Sequence, residues 1–455
     1  MNKRPRFTSL FLALSLAAFP MGSASDGNLS AAFSDSSIMT ADSTAGNSAS
    51  TDMEALRHFA GSSGENQFHA FAVGPGLVNL SPADEYATYQ WGLKNDGEFQ
   101  QIELKSKFEF INDLYGRSGL SHGSIGLPQP GPGDFESIVT DSVAGIDINV
   151  RPAWDLYDQS GNRRSLTVAI IDTGVDITHQ DLRDAIWTNP GEVAGDGIDN
   201  DGNGYVDDVY GWNFYNNNPF PFVGEEDSHG THAAGTIGAK RGMYGITGIT
   251  DNNYVKLMVL KALGGQDGIG SPASVIEAIR YAEAGGASIC NLSMGTMAYN
   301  EELARTIQES NMLFVVACGN GDLTGLGYDI DRYPIYPASF PYDNVISVAN
   351  LLFDGNLSRD SNYGAVNVDI AAPGSYILST LPGNNYGFMS GTSMAAPMVT
   401  GVAAMLYSYR PELSLSQVKD ILLASSRKMD SLSGKMVSGG MLDAYAALTY
   451  PGTGQ

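Results

Sequence analysis

The chain is poor in cysteine, with only Cys290 and Cys318 in 455 residues. A single disulfide is therefore the most that could form. Both thiols fall in apolar, strand-like runs, which favours two buried free thiols over one bond. Basic residues are scarce as well. The chain has 25 Lys and Arg against 50 Asp and Glu, giving a formal charge of −25 and a pI near 4.4. That balance disfavours nucleic acid and anionic membrane surfaces as partners; it favours solubility and is consistent with bound calcium. Long apolar runs are missing. The longest near the start, Leu10 to Phe19, is too short to span a bilayer. It follows Lys3, Arg4 and Arg6 and precedes the small residues Gly22 to Ser25. Residues 1–25 therefore read as a secretory signal peptide, which implies a secreted, extracellular or periplasmic protein. No cysteine follows the apolar core, so no lipoprotein attachment is expected, and there are no internal repeats.

Hydrophobic residues make up 43% of the chain, ample for a large core. The length could hold two or three domains, though α/β enzymes of this size are often one. Asp26 to about Gly64 is rich in Ser, Ala, Asp, Thr and Gly and reads as flexible. Residues 26–80 are thus a flexible segment or a short pro-segment. Residues 81–450 read as one folded domain with a surface insertion around 96–140, which includes the Gly/Pro-rich stretch 126–133. Residues 451–455 are a tail, and no further domain is expected after Tyr450.

Within 81–450, helices and strands alternate. Ser165 to Asp172 is an apolar, β-branched run that reads as a buried parallel strand. Helices are expected over 271–283, 301–310 and 416–424, and strands over 287–293, 312–317, 344–349 and 366–371. That order argues for an α/β fold: a three-layer sandwich with a mostly parallel central sheet between helices.

Three polar groups stand out against this frame. Asp172 ends its strand, where open α/β sheets place their sites. His229 opens a helix made of small residues. Ser393 sits in Gly391-Thr392-Ser393-Met394-Ala395-Ala396-Pro397, between a glycine turn and a helix running to about Arg410. A hydroxyl there faces the positive end of the helix, where a backbone N–H can meet a developing negative charge. The chain order is Asp, His, Ser. Each residue alone would pass as a cap or a turn residue, whereas the ordered set points to a nucleophile, a base and an orienting carboxylate.

The motifs DTGVD around Asp172, SHGTHAAGT around His229, NLSMG at 291–295, VVACGN ending at Asn320 and GTSMAAP around Ser393 occur in that order. On them, the chain from roughly Ser81 to Leu448 resembles the subtilisin-like serine proteases, the subtilases. The resemblance implies a subtilisin-like fold and a secreted serine endopeptidase acting through an acyl-enzyme. It implies that Ser393 is the nucleophile, His229 the base, Asp172 its partner and Asn320 an oxyanion donor; His232 is then structural. It also implies a substrate groove between Ser293, Met294 and Gly295 on one side and Gly268 and Gly270 on the other, with Gly319 nearby. Extended polypeptide would pair with both edges. No acidic residue lies on the groove segments 268–270, 291–295 and 319–321, so an apolar or aromatic residue before the cleaved bond is expected. Cys318, close to Asn320, would line that pocket. The Tyr336–Pro337 bond is expected to be cis, and Met394, beside the nucleophile, is a site where oxidation would crowd the oxyanion position. Self-cleavage is expected near Leu80, and a monomer is expected. Rival readings are a processing protease for a single partner, a non-catalytic binding protein on the same scaffold, and an esterase.

Asp196 to Asp208 contains a D-x-D-x-N-G core that opens like a calcium loop but lacks the closing glutamate of an EF-hand. Structural Ca²⁺ is therefore expected, with Asp199, Asp201, Asn203 and the Tyr205 carbonyl as ligands. Asp196, Asp207 or Asp208 would complete the shell. The plain alternative is a solvated acidic turn. Asn213, Asn216 and Asn218 form a second, weaker candidate.

Overall fold

The computed structural model describes residues 12–13, 67–70, 73–77, 89–106, 135–241, 245–265, 267–321 and 325–451. The expected signal peptide lies outside these residues apart from Leu12 and Ala13. The flexible stretch 26–64 and the Gly/Pro-rich stretch 126–133 lie outside them entirely. The chain divides into two compact units, one of residues 1–58 and 100–140, the other of residues 59–99 and 141–455. In the first, Leu12–Ala13 pairs in parallel with Gln100–Ser106, and Phe135–Asp141 completes a three-stranded sheet. The insertion expected as a surface loop therefore carries two strands.

The elements of the second unit, in chain order, begin with β1 (Phe68–Ala70), β2 (Val73–Leu77), α1 (Val150–Gln159), β3 (Leu166–Asp172), β4 (Gly211–Asn213) and α2 (Ser228–Gly238). Next come β5 (Val255–Lys261), β6 (Ile269–Gly270), α3 (Pro272–Ala284), β7 (Ala287–Leu292), β8 (Met294–Gly295), α4 (Glu301–Glu309) and β9 (Leu313–Ala317). They continue with β10 (Val345–Leu351), β11 (Ile370–Pro373), β12 (Ile377–Leu381), β13 (Asn385–Ser390), α5 (Thr392–Tyr409) and α6 (Leu415–Ser425). The last are β14 (Arg427–Lys428), β15 (Gly440–Met441) and α7 (Ala444–Thr449).

Nine strands form the central sheet, in the order β14-β15-β11-β10-β9-β7-β3-β5-β4. All neighbours are parallel except β14 and β15. Strand residues alternate between two cores. Val168 and Ile170 of β3 face one, with α5 and α6, while Ala169 and Ile171 face the other, with α3 and α4. A strand covered on both faces reads as one apolar run, which is why period-2 polarity is absent from Leu166 to Ile171. The result is the three-layer, subtilisin-like α/β fold.

Helix starts follow their side chains. Ser271 accepts from the Ser274 N–H ahead of Pro272, Asn300 from Leu303 and Ser414 from Gln417. One strand departs from expectation: β11 begins at Ile370, not Val366. The N–H groups of Val366 and Asn367 donate to the Asp331 carboxylate, which holds those residues in a turn outside the ladder. Both cysteines are buried and free, and Tyr336–Pro337 is cis.

Candidate active site

Asp172 is the last residue of β3, at the carboxyl end of the parallel sheet, and is 0% exposed. Its Oδ1 accepts from His229 Nδ1 at 2.7 Å and from the Thr173 N–H at 2.6 Å. His229 is the second residue of α2. The bond from Nδ1 fixes the ring and leaves Nε2 as the position that can take a proton. That Nε2 is buried and carries no hydrogen bond among the described residues. His232, one turn on, is enclosed and bonds the Ile377 carbonyl at 2.8 Å. Burial lowers its pKa to about 3, so it stays neutral.

Ser393 is the second residue of α5. Its Oγ donates to the Ser293 carbonyl at 2.8 Å, and the Ser293 hydroxyl donates back to the Ser393 carbonyl at 3.0 Å. The proline of the motif explains the second bond. In an α-helix the Ser393 carbonyl would accept from the N–H of residue 397, but Pro397 has none. The freed carbonyl is taken by Ser293, which is itself held by the Asn291 amide at 2.9 Å. Asn291 in turn accepts from Thr400 of α5 at 2.8 Å. Asn320 accepts from the Thr392 N–H through Oδ1 at 2.9 Å, which anchors its amide beside the start of α5. Gly319, at φ +95, turns the chain there and donates to Thr392 Oγ1. Met394 is fully buried, so oxidant reaches it only when the helix start opens.

The groove expected for substrate holds a strand of the chain itself. β1 lies antiparallel between β6 and β8, with Phe68 opposite Gly270, His69 opposite Ile269 and Gly295, and Ala70 opposite Met294. The Phe68 side chain is 0% exposed. β2 then pairs antiparallel with β13, Val73 opposite Ser390 and Leu77 opposite Gly387. The edge residues Gly268, Gly270, Met294 and Gly295 thus flank an extended peptide. Part of the segment expected as flexible is strand. Met294 follows Ser293, whose carbonyl holds the nucleophile, and Ser390 precedes that nucleophile by three positions. The joining residues, Phe71 and Ala72, lie outside the described residues.

The pattern of the Subtilase family (Peptidase_S8) matches residues 163–440. The chain belongs to the subtilase family. It is 34% identical over 299 residues to "Subtilisin-like protease 1" of Plasmodium berghei, covering 62% of this chain and 49% of that relative. It is 35% identical over 307 residues to the protein of the same name from Plasmodium vivax, covering 64% and 48%. It is 33% identical over 291 residues to "Major intracellular serine protease" of Bacillus subtilis, covering 62% and 82%. The chain spans about half the length of the two Plasmodium relatives it matches.

In this subtilase the acidic loop is arranged differently from the sequence expectation. Three carboxylates converge: oxygens of Glu192, Asp201 and Asp208 lie within 4.8 Å of one another. Asp201 and Asp208 belong to the acidic stretch singled out in the sequence, and Glu192 lies outside its D-x-D-x-N-G core. Asp199 instead accepts from the N–H groups of Gly202, Asn203 and Gly204, and Asp207 from those of Gly195, Asp196 and Gly197. Asp196 accepts from Ile198 and Asn200. These three shape the loop. Asn203 sits between the carboxylates, its amide 3.2 Å from Asp201 and 2.8 Å from Asp208. Tyr205 turns its ring onto Trp212 and Tyr281. Asn213 and Asn218 accept from the N–H groups of Asn216 and Phe220 and hold a turn. Among the described residues, no helix is long and apolar enough to cross a membrane.

Proposed function

We propose that this subtilase is a secreted serine endopeptidase. The observation that carries the reading is β1, an extended peptide paired on both sides in a groove beside Ser393. Ser393 Oγ leaves the Ser293 carbonyl, gives its proton to His229 Nε2 and attacks a peptide carbonyl. Asp172 holds the ring and stabilises the imidazolium. The oxyanion accepts from the Asn320 amide and the Ser393 N–H. His229 returns the proton to the leaving amine, and water then releases the acyl group by the same steps in reverse. Main-chain pairing gives affinity for any extended chain, and an apolar or aromatic residue is preferred before the cleaved bond.

In this reading the chain is its own first substrate. The ladders ending at Ala70 and beginning at Val73 bracket one short stretch, where the first cut is proposed; the cut expected near Leu80 lies outside the described residues. Calcium would be held by Glu192, Asp201 and Asp208. An all-oxygen donor set suits that ion, and the partners of these carboxylates are amides, backbone N–H groups and the Tyr281 hydroxyl.

Incubating the intact chain beside its Ser393→Ala variant tests the reading. N-terminal sequencing should find a new terminus between residues 71 and 73 in the first and none in the second. A fluorophosphonate probe should label only the first. An unlabelled, uncut native chain would leave the non-catalytic binding protein as the better reading.

A further inference from the structure

Lys261 ends β5 directly beside Asp172 in the parallel register, and its side chain is 0% exposed. A lysine is almost never enclosed without partners. Here all three ammonium protons are used. Nζ donates to the Thr173 carbonyl at 2.5 Å, to Asp227 Oδ1 at 2.6 Å and to Glu226 Oε1 at 2.7 Å. Asp227 is itself 0% exposed, and its other oxygen accepts from the N–H groups of Val223 and Gly224. Thr173 follows Asp172, and Asp227 precedes His229 by two residues. One ammonium therefore ties the turn after the carboxylate to the turn before the imidazole.

The two turns have no slack. Thr173 Oγ1 accepts from the Gly230 N–H at 3.1 Å. A Cβ on Gly230 would stand 2.2 Å from the Gly174 carbonyl, and one on Gly174 would stand 2.5 Å from the Pro221 carbonyl and 2.8 Å from the Asp227 carboxyl. We propose that Lys261 and Asp227 are positioning residues for the Asp172–His229 pair, setting its geometry and balancing the charge beside it. Burial pushes the Asp227 carboxyl up, and the bond from Lys261 pulls it back towards the ionised form.

The proposal rests on the peptidase reading for its purpose but not for its test. Among the described residues, the charged or titratable groups around His229 include Asp172, Lys261, Glu226, Asp227 and His232, together with Asp176, whose N–H donates to Thr231 Oγ1 at 3.0 Å. The segments packed on α2 from α5 and β12 bring no charge. Lys261→Met removes a positive charge from the site, and Asp227→Asn removes a negative one while Lys261 stays held by Thr173 and Glu226. Nearby charges move a titration in opposite directions according to sign. The His229 ring signal, assigned by its loss in His229→Ala, should be titrated by NMR in Ser393→Ala protein. Its midpoint should rise in Lys261→Met and fall in Asp227→Asn, each by roughly one pH unit or less. It should return in the double variant Lys261→Met/Asp227→Asn; if one single variant does not fold, the shift in the other and its return in the double variant carry the test. The acid limb of kcat/KM should move with it. Midpoints that stay put, or that move the same way in both single variants, overturn the proposal. Opposed midpoints in a protein that hydrolyses no peptide would leave the pair standing and sink the peptidase reading.

Discussion

At the scale of single residues, the catalytic roles divide between atoms fixed by hydrogen bonds and one atom held ready. Asp172 and Asn320 are fixed: one carries the ring of His229, the other anchors the N–H ahead of Ser393. In the proposed mechanism Asn320→Ala removes a donor to the developing oxyanion. It should therefore lower kcat by about 10²–10³ with little change in KM, a figure taken from subtilisin itself, a member of this family. Steady-state kinetics on a chromogenic peptide would check it; a rise in KM alone would count against the role. These residues were legible in the sequence because short motifs carry them: a strand end, a helix start, a glycine turn. Lys261 and Glu226 were not. Their partners depend on where β5 meets β3 in space, and no local pattern in Val255 to Lys261 announces a buried ammonium.

At the scale of elements, α5 combines a nucleophile with a deliberate break in its own ladder. Pro397 costs the helix one hydrogen bond and frees the Ser393 carbonyl for Ser293. Pro397→Ala should restore the missing N–H as a competitor. Thermal stability should hold or rise while kcat falls, by roughly tenfold to 10²-fold, because the serine is misplaced. Matched melting curves and kcat values would decide this; parallel losses in both would argue for simple misfolding. The helices at 272–284, 301–309 and 415–425 fall within a residue or two of expectation because their caps are spelled out, as at Ser271 and Ser414, whereas α1 and α7 were not expected. β1 and β2 were not read as strands. Gly74, Pro75 and Gly76 oppose strand formation by composition; β2 is extended against the edge of β13, as β1 is against β6 and β8.

At the scale of the molecule, a net charge of −25 makes every buried or clustered carboxylate costly. Glu192, Asp201 and Asp208 concentrate that cost at one place, and a divalent ion would relieve it. Chelation should lower Tm by several degrees, and added calcium should restore it, since an ion present at 100 times its Kd contributes about 2.7 kcal/mol. Differential scanning calorimetry with and without chelator tests this; superimposable curves would remove calcium from the account. The loop's acidity was evident from Asp196 to Asp208, but its ligand geometry was not. Which carboxylates face inward depends on backbone N–H groups that claim Asp199 and Asp207 first.

The grip of residues 68–77 has a kinetic consequence. β1 holds to one sheet and β2 to another, so cutting the link between them releases neither piece at once. The severed N-terminal piece would stay in the groove as a product, blocking the molecule that made it. A few molecules that lose it early would then destroy the pieces held by the others. Activity should appear after a delay, rise sigmoidally, and do so sooner as protein concentration increases.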